Sequence, residues 1–262
     1  MPLSAVDINC DMGEAFGRWS MGDTDDSRLM NLISSASIAT GFHAGDPNLM
    51  DQTVRLAVQH GVNIGAHPGY KDLQGFGRRK IDGSCEEVVN DVVYQVGALR
   101  EFCRRHDASI QHVKPHGALY MEMAVNEALS RSFIGTMRTI APNAFIFCMG
   151  ISKTFQVAKE AGQPTIREFY ADRDYDESGS IVFTRHVGKL KPSDVADKVV
   201  RACTEGKVRT VTGVDINIEF ESICFHSDSP GSFEIASAMR EALVANGIRI
   251  VPVSKITAVK NS

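Results

Sequence analysis

Four histidines follow apolar runs in this sequence: His43 in GFHAGDP (41–47), His67 in NIGAHPG (63–69), His116 in IQHVKPHG (110–117) and His226 in SICFHSDSPG (222–231). A neutral imidazole in such a place can accept a proton or bind a metal. Asn9, Asp11 and Glu14 in DINCDMGE add two carboxylates, which divide acid and base roles when their surroundings push their pKa values apart. Lys114 and His116 alternate in VKPHGALY and point the same way if a strand continues through both. A lysine aimed inward is costly unless it meets a carboxylate or a substrate. REFYADRDY (167–175) gathers Arg167, Glu168, Asp172, Arg173 and Asp174 around two tyrosines.

Each of these has a plainer explanation. Asp46 followed by Pro47 is a good helix N-cap with proline in the first turn, and that is the better reading of Asp46. A lone buried histidine is often just a hydrogen-bonded core group, and a charge run such as 167–174 is usually a solvated face. LQGFGRRK (73–80) could hold an anion, but an isolated Gly-x-Gly is weak evidence. No G-x-x-x-x-G-K-[ST] occurs, so the chain has no P-loop.

The elements that must position these residues alternate. AVDIN, SASIAT, VNIGA, SIQHV, AFIFC, PTIREF, SICF and IRIVPV read as strands. Between them RLMNLIS, DPNLMDQTVRLAVQHG, CEEVVNDVVYQVGALREFCRR, NEALSRSFIGTMRTI, KTFQVAKEAG, SDVADKVVRAC and SFEIASAMREALVANG read as helices. Val88, Val92, Val96 and Leu99 share one helical face, and Ile235, Met239 and Leu243 another. Ser84 with Glu87 forms a capping box, Ser193 precedes a helical first turn, and Pro230 is placed to open the last long helix. GSIVFTRHVG and KVRTVTGVDINIEF have strand-like alternation and form an excursion between the sixth and seventh core strands. Strands alternating with helices imply a parallel sheet. Polar groups after so many strands favour a closed barrel over an open doubly wound sheet, where ligand groups collect only near a switch point.

A length of 262 residues, 43% of them hydrophobic, encloses a sizeable core, and one compact domain over 1–262 is the default. A net charge of −4 and a pI near 6.1 argue against a nucleic-acid partner. Six cysteines without a C-x-x-C pair exclude a zinc ribbon or thioredoxin-type motif. The N-terminus does not read as a signal peptide, and no apolar run approaches the ~18–20 residues that span a bilayer. These features point to a reduced, soluble, cytoplasmic protein with no membrane partner.

Taken together, DINCDMGEAFG, IATGFHAGDP, GAHPGYKDLQGFGRR, VKPHGALY and EFYADRDY resemble the LamB/YcsF family, in family order over residues 7–175. The remaining third matches through HSDSPG and the final helix and strand. The resemblance implies a seven-stranded (β/α) barrel, a deacetylase- and glycoside-hydrolase-like variant of the TIM barrel. It also implies ATP-dependent hydrolytic opening of the 5-oxoproline (pyroglutamate) lactam to L-glutamate, performed with two further subunits, ATP being used by the complex. On that reading Asp11 or His43 serves as base, Lys114 as the cation for an oxyanion or phosphate, and His116 as acid for the leaving nitrogen. Asn9, Glu14, His67, Asp172, Arg173 and His226 are expected to bind substrate. Two departures stand out: Ser227 occupies the glycine position of the family's His-Gly-Asp, and IVFTR (181–185) replaces its L-V-P-R. A Cβ at 227 disfavours a left-handed backbone there, which weakens the carry-over to His226. Two other readings remain. One is a metal-dependent, deacetylase-like hydrolase with Asp11, His43 and His67 around a divalent ion. The other is a non-catalytic subunit that binds an acidic metabolite. ATP coupling supplies activation that a Lewis acid would otherwise provide, so a site without metal is favoured and the metal stays an open question.

Overall fold

The apolar run AVDINCDM extends as β1 (Ala5–Met12), buried along almost its whole length, as a strand covered on both faces must be. In the computed structural model, which describes residues 2–19, 25–184 and 188–260, the chain then alternates. It continues through α1 (Asp26–Leu29), β2 (Ser35–Ala39), α2 (Pro47–His60), β3 (Asn63–His67), α3 (Cys85–Arg105) and β4 (Ile110–Val113). There follow α4 (Gly117–Val125), α5 (Glu127–Ile140), β5 (Phe145–Cys148), α6 (Lys153–Ala161), β6 (Thr165–Tyr170) and α7 (Pro192–Glu205). The last elements are β7 (Lys207–Arg209), β8 (Asp215–Asn217), β9 (Ser222–His226), α8 (Ser232–Ala245), β10 (Arg249–Ile250) and α9 (Val253–Lys260). Seven strands close into a parallel barrel in the order β1-β2-β3-β4-β5-β6-β9, with β9 pairing back onto β1 and helices around it. This is the barrel class that the family resemblance implied. The two-residue β10 adds a short parallel pairing to β1. Among the described residues no helix is long and apolar enough to cross a membrane.

By its internal packing the chain divides into two compact units, Met1–Cys10 with Met21–Ser35 and Arg167–Ser262, and Asp11–Ser20 with Ala36–Ile166. In the second, Asp46 caps α2, its Oδ1 accepting from the amides of Asn48 and Leu49 and its Oδ2 from Gly17, so its structural reading holds. Ser84 and Glu87 form the expected capping box, and α3 buries Val88, Val92, Val96 and Leu99 on one face. In the first unit, α7 buries Val195, Val199 and Cys203, while α8 buries Ile235, Met239 and Leu243. The excursion before β9 contains the antiparallel hairpin β7–β8.

Several boundaries differ from expectation. RLMNLIS yields only the single turn α1, and beyond it Ser34 and Ser35 donate to Asp7 Oδ1. GALYMEMAV, which begins within the VKPHGALY motif and is absent from the helices expected from sequence, is the helix α4. The N-cap of α7 is Lys191 and not Ser193, and α8 starts after Gly231 and not at Pro230. Within GSIVFTRHVG only Ile181 forms a bridge, to Tyr175, and residues 185–187 lie outside those described.

Gly65 of β3 pairs with His112 of β4, and a Cβ there would lie 2.0 Å from His112 Nε2. That ring is pinned: Nε2 is 3.0 Å from Ser37 Oγ, and the ring stacks on Phe147 with centroids 4.1 Å apart. Gly65→Ala is therefore expected to destabilise the protein by about 3 kcal/mol in urea denaturation, the upper range for an overpacked core. An unchanged midpoint would mean that the ring relocates freely.

Candidate functional site

Six of the residues singled out by sequence converge in the second unit. Asp11 lies at the end of β1 and Glu14 follows it, His43 follows β2, His67 ends β3, and Lys114 and His116 lie just beyond β4. All are buried. Lys114 Nζ donates to Asp11 Oδ1 at 2.7 Å, and each side chain is only 2% exposed. The lysine therefore meets the carboxylate that its burial requires. His67 Nε2 lies 3.2 Å from Asp11 Oδ2 and 3.8 Å from Glu14 Oε1. His116 Nδ1 lies 2.9 Å from His67 Nε2 and 3.3 Å from Glu14 Oε1. His43 Nε2 lies 3.2 Å from the same Glu14 oxygen, and its ring stacks on His116 at 3.7 Å.

Strand ends deliver these groups, but a loop orients them. Phe76, at a φ of 53°, presents its carbonyl to His116 Nε2 at 2.8 Å. Gly77 follows at a φ of 62°, where a Cβ would lie 2.7 Å from both His116 and His43, so only glycine fits. Phe76 was not singled out from sequence, although its flanking glycines were a signal. The same loop was a weak candidate for anion binding, but Asp72 accepts from the amides of Gly75 and Arg79 and pairs with the Arg79 side chain. Burial pushes the His43 pKa down to about 3, with His116 adding to the effect. Burial first, and then His67, holds His116 well below the usual imidazole value. Both rings are neutral near pH 7. Glu14, His43, His67 and His116 each present one donor atom, all within 4.8 Å of one another, so this set could hold a metal ion.

Asn9, Asp172, Arg173 and His226 belong to the other unit, in two groups. Asn9 Nδ2 donates to Ser222 Oγ at 2.8 Å and to Glu168 Oε1 at 3.2 Å. Asp172 accepts from His226, Ser229 and Arg173, the last at 2.9 Å. Burial pushes the Asp172 carboxyl up, but His226 and Arg173 beside it prevail and hold it well below the usual carboxylate range. The 167–174 charge run is thus partly internal and not simply a solvated face. Lys198 of α7 donates to the carbonyls of Tyr170, Ala171 and Arg173, a support that carries no local sequence signal. Ser227 does not adopt a positive φ.

Asp7 was also not singled out. It is buried, accepts from Ser34, Ser35 and Ser222, and its pKa is raised from 3.8 to about 6 by burial, which outweighs those hydrogen bonds. Between these values the folded chain binds more proton than the unfolded one. The stabilisation linked to that proton is fully present below 3.8 and is lost as pH rises through about 6. Asp7→Asn removes the titration. Measured by urea denaturation, the wild-type stability relative to Asp7→Asn is expected to fall by about 2 kcal/mol between pH 4 and pH 7.5. A pH-independent difference would refute the assignment.

The model of the LamB/YcsF family matches residues 6–258. The chain is 58% identical, over 95% of its length and 98% of the relative's, to an A-type 5-oxoprolinase subunit from Pseudomonas aeruginosa. It is 42% identical, over 95% of its length and 96% of the relative's, to the 5-oxoprolinase subunit of the same type from Natranaerobius thermophilus. Among solved structures, a lactam utilization protein from Thermus thermophilus superposes with a TM-score of 0.87 at 35% identity, covering 94% of this chain and 99% of that one.

Proposed function

We propose that this chain, which belongs to the LamB/YcsF family, is the A-type subunit of an ATP-dependent 5-oxoprolinase and supplies the site where the lactam is opened to glutamate. The observation that carries this reading is the Lys114–Asp11 pair, buried beside three imidazoles and Glu14. Cation, base and proton carriers stand within hydrogen-bonding reach of one another, which is more than binding a metabolite requires. The names of the relatives support the same substrate.

A five-membered lactam resists water through amide resonance and favourable ring closure, so opening it is coupled to ATP. Phosphorylation of the lactam oxygen by ATP makes the carbonyl carbon electrophilic. The oxygen of water then bonds to that carbon, the carbon–nitrogen bond breaks with a proton delivered to nitrogen to give a glutamyl phosphate, and a second water displaces phosphate to leave glutamate. Lys114 is the group to stabilise the negative charge that builds on oxygen. Of the two candidate bases, Asp11 is the better placed, since it lies against Lys114 and His67 while His43 is turned toward Glu14. His116 starts neutral, so it can serve as acid only after taking up a proton released by water. Glu14 and His67, beside these groups in the same unit, are assigned to substrate binding. The test is glutamate release by the assembled enzyme after replacement of Lys114 or His116. Near-normal turnover in both variants would overturn the reading.

A further inference from the structure

The two imidazoles at the centre of the buried cluster have already committed one proton each. A backbone carbonyl can only accept, so His67 Nδ1, 2.6 Å from Lys114 O, carries a hydrogen, and so does His116 Nε2, 2.8 Å from Phe76 O. The ring nitrogens left to face each other are His67 Nε2 and His116 Nδ1, 2.9 Å apart. Their surroundings include carboxylate oxygens, with Asp11 Oδ2 3.2 Å from His67 and Glu14 Oε1 3.3 Å from His116. Imidazole nitrogens and carboxylate oxygens that converge in one buried space are the donors that gather around a divalent cation. A second observation is independent of the first: Glu14 Oε2 and His43 Nδ1 are buried with no hydrogen-bond partner among the described residues.

We propose that Glu14, His67 and His116 hold a divalent first-row metal ion, zinc by the nature of the donors, with His43 completing the set. Imidazole and carboxylate without thiolate suit such an ion, and its neighbouring donors stand roughly 3.3 Å apart in tetrahedral geometry. The separations of 2.9, 3.3 and 3.8 Å among His67, His116 and Glu14 bracket that value. The two carbonyl hydrogen bonds supply the outer contacts that fix a ligating histidine's tautomer and aim its free nitrogen. Gly77, closed against His116 and His43, holds the Phe76 carbonyl in place. The donor set differs from the Asp11, His43 and His67 trio considered from sequence: Asp11 is the partner of Lys114, and Glu14 and His116 take its place. With an ion bound, His116 is a ligand and not an acid, and Asp11 with Lys114 remains to move the proton. The lactam-opening reading does not depend on the ion.

The experiment is to strip the purified chain with a chelator, then titrate it with Zn²⁺ and separately with Co²⁺, following bound metal and the visible absorption of cobalt. One equivalent is expected to bind, with the strong visible bands of a four-coordinate cobalt site. Glu14→Gln, which keeps size and shape, and His116→Gln should each weaken binding about 100-fold or more, since even outer contacts are worth 10–100-fold. His60→Ala, at an exposed position on α2, should leave it unchanged. Far-UV circular dichroism confirms that each variant is folded, and wild-type stoichiometry decides the matter if one is not. Absence of stoichiometric binding by the wild type, or equal binding by wild type, Glu14→Gln and His116→Gln, would overturn the proposal. Bound metal is the readout, so its failure is distinct from a failure of the lactam-opening reading.

Discussion

Lys114→Met is expected to lower 5-oxoproline turnover by the assembled enzyme about 10²- to 10³-fold, the usual cost of removing a donor aimed at a developing oxyanion. The lysine is buried with its ammonium 2.7 Å from Asp11, so the variant also strands a buried carboxylate. Breaking such a pair costs about 3–5 kcal/mol in stability, and this must be separated from lost chemistry. The double variant Asp11→Asn/Lys114→Met removes both charges and should regain stability without regaining activity. Glutamate release and urea denaturation on all three proteins make the distinction. Recovery of turnover together with stability in the double variant would show that Lys114 is structural. His116→Ala should fall by a comparable factor, since its ring contacts Glu14, His67 and His43 at once.

The gathering of His43, His67, Lys114 and His116 was legible because each ends an apolar run, and parallel strands in one barrel deliver such ends to one side. How the polar atoms pair was not legible. Asp11 and Glu14 lie three residues apart in DINCDMGE, yet one serves Lys114 and the other faces three imidazoles, which depends on long-range geometry. His112, Lys114 and His116 alternate as residues of one strand do, but β4 ends at Val113. His112 is held between Ser37 and Phe147, while Lys114 and His116 reach the site from the turn into α4. That helix escaped notice because GALYMEMAV is apolar nearly all round and shows no stripe. The 167–174 run looks solvated by composition. Asp172 and Arg173 are nonetheless buried, with the backbone beside them held by Lys198 from α7, a contact that residue spacing cannot reveal. Asp7 looked like an ordinary strand residue, since its serine partners come from β2, the turn before it and β9.

The isolated chain is expected to release no glutamate from 5-oxoproline, with or without ATP, and to do so once its two partner subunits and ATP are supplied. Two facts motivate this. The proposed reaction needs ATP, yet the sequence contains no P-loop, and the glycine-containing basic loop at 73–80 spends the amides of Gly75 and Arg79 and the Arg79 side chain on Asp72. The site described above offers a single buried lysine, already engaged with Asp11, and its histidines 43 and 116 are neutral. That is suited to receiving an activated lactam and poorly suited to binding a triphosphate. If the partners make the phosphorylated lactam, transfer across an interface at the carboxyl ends of the strands keeps the reactive species from being lost to water. A coupled glutamate-release assay on the chain alone, and then on the reconstituted mixture with and without ATP, reads all arms. Robust release by the isolated chain without ATP would remove the reason for the partners. It would then move a metal-dependent hydrolase, with Glu14, His67 and His116 as its centre, to first place.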